Sequence, residues 1–230
     1  VARLRWFPAV VALFATALIV SNFIASKLVN ILGLTLPAAI LLFPLTYILG
    51  DVLTEVYGFA KAREAIWLGF ACNLLAVLAI RASQALPASP FWTAGVYRTA
   101  ADAQAAYDAV LGSAPRVLLA SFLAYLVGEF ANASVLARLK VATQGKYLWL
   151  RTIGSTLIGQ AADSAIFLIV AFAGMLPASV LAAAIVSQWL FKSAYEALAT
   201  PATYWLVARL KGAEGVDVFD RGSDWSPFRL

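Results

Sequence analysis

Long apolar runs, broken by short charged clusters, set the pattern of this chain up to about position 211. A helix of about 20 mostly apolar residues crosses the roughly 30 Å of bilayer hydrocarbon. Six segments meet that requirement: 8–32, 37–57, 63–86, 115–138, 148–174 and 177–209. Backbone polar groups in lipid need internal partners, so the pattern predicts a helix for each. "GLTLP" at 33–37 and the turn from Gly174 to Pro177 are short, which makes their flanking helices antiparallel. The expected fold class is an all-α membrane protein with six transmembrane helices in one domain, 1–211, followed by a tail, 212–230.

The segment 87–114 breaks the pattern. "SPFW" sets Phe91 and Trp92 where an interfacial aromatic belt belongs. "TAADAQAAYDAVLG" then predicts a short helix over 99–111, with Thr99 as N-cap, Asp102 completing a capping box and Gly112 at its end. It reads as a helix on the outer surface, with a lid over a binding site as the sharper alternative. The tail, "GAEGVDVFDRGSDWSPFRL", is polar and glycine-rich and too short to form a domain.

Charge placement gives orientation. With the N-terminus inside, cytoplasmic segments hold Arg3, Arg5, Lys61, Arg63, Arg138, Lys140, Lys146, Arg151, Arg209, Lys211, Arg221 and Arg229, and outer segments hold Arg98 and Arg116. Twelve against two is a strong positive-inside bias, so both termini are expected in the cytoplasm. The chain divides near 113 into two sets of three helices. Three is odd, so a duplicated unit would sit inverted in the membrane. "ILGDVLTE" at 48–55 and "LIGQAADS" at 157–164 are the corresponding glycine-then-polar stretches.

Composition agrees. Of 230 residues, 63% are hydrophobic and 13% charged, against about 25% charged in soluble domains; mean hydropathy is +0.85. The net charge of +5 is explained by the inter-span clusters, so no nucleic-acid partner is inferred. The N-terminal run continues to about Leu32 and reads as a retained span rather than a cleaved leader. The single cysteine, Cys72, excludes an intrachain disulfide, and the absence of histidine argues against catalytic zinc. No metal or cofactor is expected.

The candidate chemistry lies in the acids within spans: Asp51, Glu55, Glu129, Asp163 and Glu196. Each would cost about 2.5–3.5 kcal/mol at mid-bilayer facing lipid, so they are expected to face the bundle interior, a cavity or the interface. Helical spacing groups them. Tyr47, Asp51 and Glu55 follow at i, i+4 and i+8. Glu129 stands three residues before Asn132, and Gln160 three before Asp163. Gln188, Lys192, Glu196 and Thr200 form one stripe, and Asn22, Ser26 and Asn30 another. Stripes on several helices imply a shared interior site, acidic and amide-rich, with Tyr47 and Trp189 nearby. Plainer readings remain open. Lys192 and Glu196 neutralise each other, the asparagines of the first span bond neighbouring helices, and Glu55 is solvated near an interface.

No Walker A pattern is present. Asp51 after Gly50, with Asp163, faintly suggests an intramembrane aspartyl protease, but two residues carry no specificity. An enzyme is not expected.

"VSNFIASKLV" (20–29), "FPLTYILGDVLTEVYG" (43–58), "GEFANASVLARLK" (128–140), "RTIGSTLIGQAADSAIF" (151–167) and "SAYEALATP" (193–201) resemble the queuosine precursor transporters, the VUT family. The tail is also similar, although "DWSPF" has Asp224 and Ser226 where the family often carries amides. The resemblance implies a six-helix importer of the bacterial inner membrane for 7-cyano- or 7-aminomethyl-7-deazaguanine, or queuine. It implies that Asp51 or Asp163 binds the donor edge of the base. Glu55 and Glu129 would assist, with Asn22, Asn132 and Gln160 completing the hydrogen bonds. Lys192 and Glu196 would gate or line the site, with Tyr47 and Trp189 stacking. The alternative is a substrate-capture subunit serving separate ATPase partners. A homodimer stays open.

Overall fold

The computed structural model describes residues 4–31, 34–93, 95–112 and 115–228. It is largely helical. The first helix, α1 (Phe7–Ile24), starts with a proline in its first turn and stops after 18 residues. There the sequence changes character. β1 (Leu28–Ile31) pairs antiparallel with β2 (Leu34–Pro37), Leu28 opposite Pro37 and Ile31 opposite Leu34. The expected 25-residue span over 8–32 is therefore shorter, and the fold is not purely helical. Alternating Leu, Val, Ile and Thr favour paired strands, whose backbone groups satisfy one another as helix groups do.

A 3₁₀ turn over Ala38–Leu41 leads into α2 (Phe43–Tyr57). Its 15 residues measure about 22 Å at 1.5 Å per residue, short of a full crossing. Gly58, at φ 82°, separates α2 from α3 (Phe59–Ala85) in one residue. This positive-φ, extended conformation is open essentially to glycine alone. A Cβ there would also stand 2.6 Å from a methyl of Val218. After the capping-box helix α4 (Ala100–Leu111), with both reciprocal Thr99–Asp102 bonds in place, come α5 (Pro115–Ala142), α6 (Leu148–Phe172) and α7 (Ala178–Glu214). Among the described residues four stretches are long and apolar enough to cross a membrane: α1, α3, α6 and the run Ala100–Ala142 that contains α5. Lys192 and Glu196 interrupt the apolar run of α7, and Pro201 removes a backbone donor within it.

Helix α2 lies at the centre, against α1, α3, α5 and α7, while α6 packs chiefly on α5 and α7. The two halves are thus not packed alike. The surface is that of a membrane protein. Leu75, Leu119, Ile158, Leu190 and Leu198 are exposed, while Asp51, Glu55, Arg151, Thr152 and Ser155 are buried. A soluble protein distributes these types the other way.

The end of the bundle that carries both termini is strapped shut. The carboxylate of Glu214, at the end of α7, accepts the backbone N–H groups of Arg5 and Trp6 and the Tyr57 hydroxyl. It thereby serves donors at the start of α1 that have no intrahelical partner. Residues 216–228 do not trail away as a polar tail. The Val218 N–H donates to the Val56 carbonyl, and Asp220 accepts the Phe59 N–H at 2.9 Å, capping α3. Arg63 donates to the carbonyls of Asp224 and Ser226, Trp67 to that of Pro227, and Trp225 packs between Phe59 and Arg138. Asp217 bridges Lys140 and Lys211.

Two outcomes test the strap. Asp220→Ala removes the buried cap of α3 and is expected to cost about 1–2 kcal/mol, read as a lower melting temperature in detergent; Asp220→Asn keeps an acceptor and loses less. Burial acts to raise the Asp217 pKa, but the hydrogen bonds of Lys140 and Lys211 outweigh it and hold the carboxyl below its ordinary value. A depressed pKa contributes stability that is complete above the unfolded value, about 3.9, and is lost as pH falls through the native one. The strap should therefore resist protease at about pH 5 and open only in stronger acid, and Asp217→Asn should abolish that acid step.

Candidate functional site

The site is assembled by a contact between two glycines. A Cβ on Gly128 of α5 would stand 2.8 Å from the Asp163 Cβ, and one on Gly159 of α6 2.8 Å from the Asn132 Cβ. Each would also lie close to the other glycine's carbonyl oxygen, at 3.2 and 3.0 Å. Only residues without side chains allow this approach, the usual device for close helix packing in lipid. It draws Glu129 and Asn132 of α5 alongside Gln160 and Asp163 of α6.

Helix α2 presents its polar face to this seam. The Asn132 amide donates to Asp51 Oδ1 at 2.8 Å, and the Tyr47 hydroxyl to Gln160 Oε1 at 3.0 Å. From α7, Lys192 pairs with Asp163. Asp51 feels the charge of Glu196 and, less strongly, of Glu129, while Glu129 feels Asp163, Glu196 and Lys192. Tyr47, Asp51, Glu129, Asn132, Gln160, Asp163, Lys192 and Glu196 thus form one cluster from four helices. Several of its atoms lack a partner: Asp51 Oδ2, Asn132 Oδ1 and both carboxylate oxygens of Glu196. Buried polar atoms are ordinarily satisfied, so these stand out.

Beside the cluster is a narrow hollow with no room for a water molecule, lined by Phe14, Gly50, Leu53, Thr54, Ala62, Ile66, Glu129, Asn132 and Ala133. Gly50 leaves room for Glu129, whose Oε2 would be 3.2 Å from a Cβ at that position. Phe14 is fully buried and offers a flat wall. The sequence did not single it out, because one phenylalanine in an apolar helix carries no distinguishing signal.

The remaining candidates lie elsewhere. Glu55 is neither solvated nor in the cluster. It is fully buried, with Oε2 on Arg151 Nε at 2.7 Å and Oε1 on Arg151 Nη2 at 2.8 Å and Lys211 Nζ at 2.6 Å. Lys140 stands 3.7 Å from the same carboxylate. A bidentate arginine and two lysines satisfy this charge completely, whereas along the sequence these three bases serve only as orientation signals. Lys192 and Glu196 do not neutralise each other, because Lys192 reaches across to Asp163. The Trp189 indole donates to the Leu157 carbonyl at 2.9 Å and clamps α7 to α6. Asn22 donates to Asn73 at 3.0 Å, a bond between α1 and α3.

The sequence profile of the family described as "Putative vitamin uptake transporter" matches residues 37–206. The chain is 32% identical over 193 residues to the "Probable queuosine precursor transporter" of Bacillus subtilis (strain 168), covering 83% of this chain and 79% of that protein. It is 28% identical over 152 residues to the "Queuosine precursor transporter" of Escherichia coli (strain K12), covering 66% and 62%. The chain belongs to the VUT family of queuosine precursor transporters. No solved structure matches it. The matched VUT segment contains the whole four-helix cluster and excludes Phe14, Asn22 and the strap.

The glycine contact is open to test. Gly159→Ala should force α5 and α6 apart at a cost of about 1–3 kcal/mol, read as a lower melting temperature. Gly154→Ala meets only the flexible Leu139 side chain, at 3.3 Å, and should be tolerated.

Proposed function

We propose that this chain is a secondary transporter of the bacterial inner membrane that imports queuosine precursors, 7-cyano- or 7-aminomethyl-7-deazaguanine. The observation that carries the reading is the convergence of buried acids and amides from four helices beside an aromatic-walled hollow. The names of the two relatives supply the substrate class. The topology we propose has six crossings, α1, α2, α3, α5, α6 and α7, with both termini and the strap in the cytoplasm. The shortness of α2 is made up by the hairpin and the 3₁₀ turn before it. The basic residues at the strapped end support that orientation.

The chemistry fits the base. A deazaguanine presents adjacent N–H donors and a carbonyl on its pairing edge. Glu129 lines the hollow and is the acceptor for the donor edge, since a carboxylate accepts two such bonds. The Asn132 amide completes the recognition. Phe14 lies against the bicyclic face, as aromatic walls do in pockets that read flipped bases. Asp163, held by Lys192, and Gln160, held by Tyr47, form the neighbouring polar wall. The hollow as it stands admits no water molecule, whereas ligand pockets measure about 300–1,000 Å³, so entry requires its walls to part, and α2 and α5 face each other across it. The alternative is a capture subunit with separate ATPase partners.

Uptake of labelled base by the purified chain alone in liposomes tests the reading, and unchanged base should be recovered inside. Glu129→Gln keeps the shape but loses the charged acceptor, and should lower uptake about 10–100-fold, the equivalent of about 1–3 kcal/mol. Uptake that requires added ATPase partners would favour the alternative. Full uptake by Glu129→Gln would remove the assigned acceptor.

A further inference from the structure

The substrate hollow does not account for Asp51 or Glu196. Neither lines it. They are 0% and 1% exposed, on helices α2 and α7, which pack against each other, and they lie within electrostatic reach of one another. The atoms around them without a partner are all acceptors or hydroxyls: Asp51 Oδ2, both oxygens of Glu196, Asn132 Oδ1 and, one turn before Glu196, Ser193 Oγ. The cations nearby are committed elsewhere. Lys192 is engaged by Asp163, while Arg151 and Lys211 are engaged by Glu55 and Lys140 by Glu55 and Asp217. The other acids that Asp51 feels, Glu129 from α5 and Glu55 from α2, add negative charge. Helices α1 and α3 bring Phe14, Ala62 and Ile66 to this part of the bundle.

Two buried carboxylates on packed helices, with an open amide oxygen on the residue that bonds Asp51 and an open hydroxyl one turn before Glu196, and no hydrogen-bond donor on the open oxygens, suit a positive occupant. Among the described residues no three histidine, cysteine or carboxylate groups gather as a metal site, which disfavours a multivalent ion. We propose that Asp51 and Glu196, with Asn132 Oδ1 and Ser193 Oγ, bind a monovalent cation, a proton shared between the carboxylates or a sodium ion, whose passage drives import. The cation enters and leaves unchanged, so no redox step is involved. Asn132 provides the link. Its amide lines the substrate hollow and donates to Asp51. Filling the acid pair therefore sets the orientation of a group that the base meets.

The coupling rests on the transport reading, whereas the cation site itself is measured separately. The full chain in liposomes is given labelled base with either an inward pH gradient or an inward sodium gradient. With one cation per base, a tenfold gradient of the coupled cation supports about tenfold accumulation. Wild type should show this with one of the two gradients, which identifies the ion. Asp51→Asn and Glu196→Gln should lose gradient-driven accumulation. A wild type that performs counterflow but ignores both gradients overturns the proposal, as do variants that still concentrate the base. Absence of wild-type counterflow would instead sink the transport reading. The site is then read by melting temperature in detergent without base. Sodium or lowered pH should raise it in wild type and have no such effect in the Asp51→Asn, Glu196→Gln double variant. Equal responses in the two proteins overturn the cation site.

Discussion

The close approach of α5 and α6 at Gly128 and Gly159 is the constraint on which the interior depends. In lipid there is no hydrophobic force between helices, and packing distance decides which polar groups meet. With two backbones in contact, the short side chains of Asn132 and Asp163 stand at the seam, and the longer Glu129 reaches past it toward α2. A larger residue at either glycine would hold these groups apart and leave each acid alone in hydrocarbon, where charge is most costly.

The buried charges divide into two systems, and α2 belongs to both. One turn separates Asp51 from Glu55. Glu55 is saturated by Arg151, Lys211 and Lys140, and through Asp217 this cluster ties the strap to the bundle. A buried ion pair of this kind contributes little net stability over an apolar substitute, but leaving its charge unpaired is costly. It therefore specifies which groups belong together at that end. The other system, Asp51, Glu129, Asn132 and Glu196, is short of donors. The saturated system suits a fixed element, and the unsaturated one suits a site completed by what it binds.

Much of this was legible in the chain itself. Helices α1, α3, α5 and α6 followed from apolar run lengths, and the α4 cap from Thr99 and Asp102. The i, i+4 and i, i+3 spacings placed Asp51, Glu129, Asn132, Gln160 and Asp163 on polar stripes, and the structure brings those stripes together. The hairpin was not legible, because Leu, Val, Ile and Thr satisfy an apolar run whether coiled or extended. Nor was the strap. Its contacts are backbone carbonyls and one aspartate whose partner is the Phe59 N–H, and composition records neither.

Hydropathy and charge spacing by themselves determined that this is a helical membrane protein with acids turned inward, because the cost of a charge in lipid applies to any fold. Only the tertiary structure decided which base meets which acid. Lys192 could have paired with Glu196 a turn away on its own helix, yet it reaches Asp163 across the α6–α7 contact. Arg151, Lys140 and Lys211, counted along the sequence as loop charges, turn inward to Glu55. Spacing along one helix constrains which side chains share a face, but pairing between helices depends on rotation and depth. Those are set by contacts far apart in the chain, such as Gly128 against Gly159.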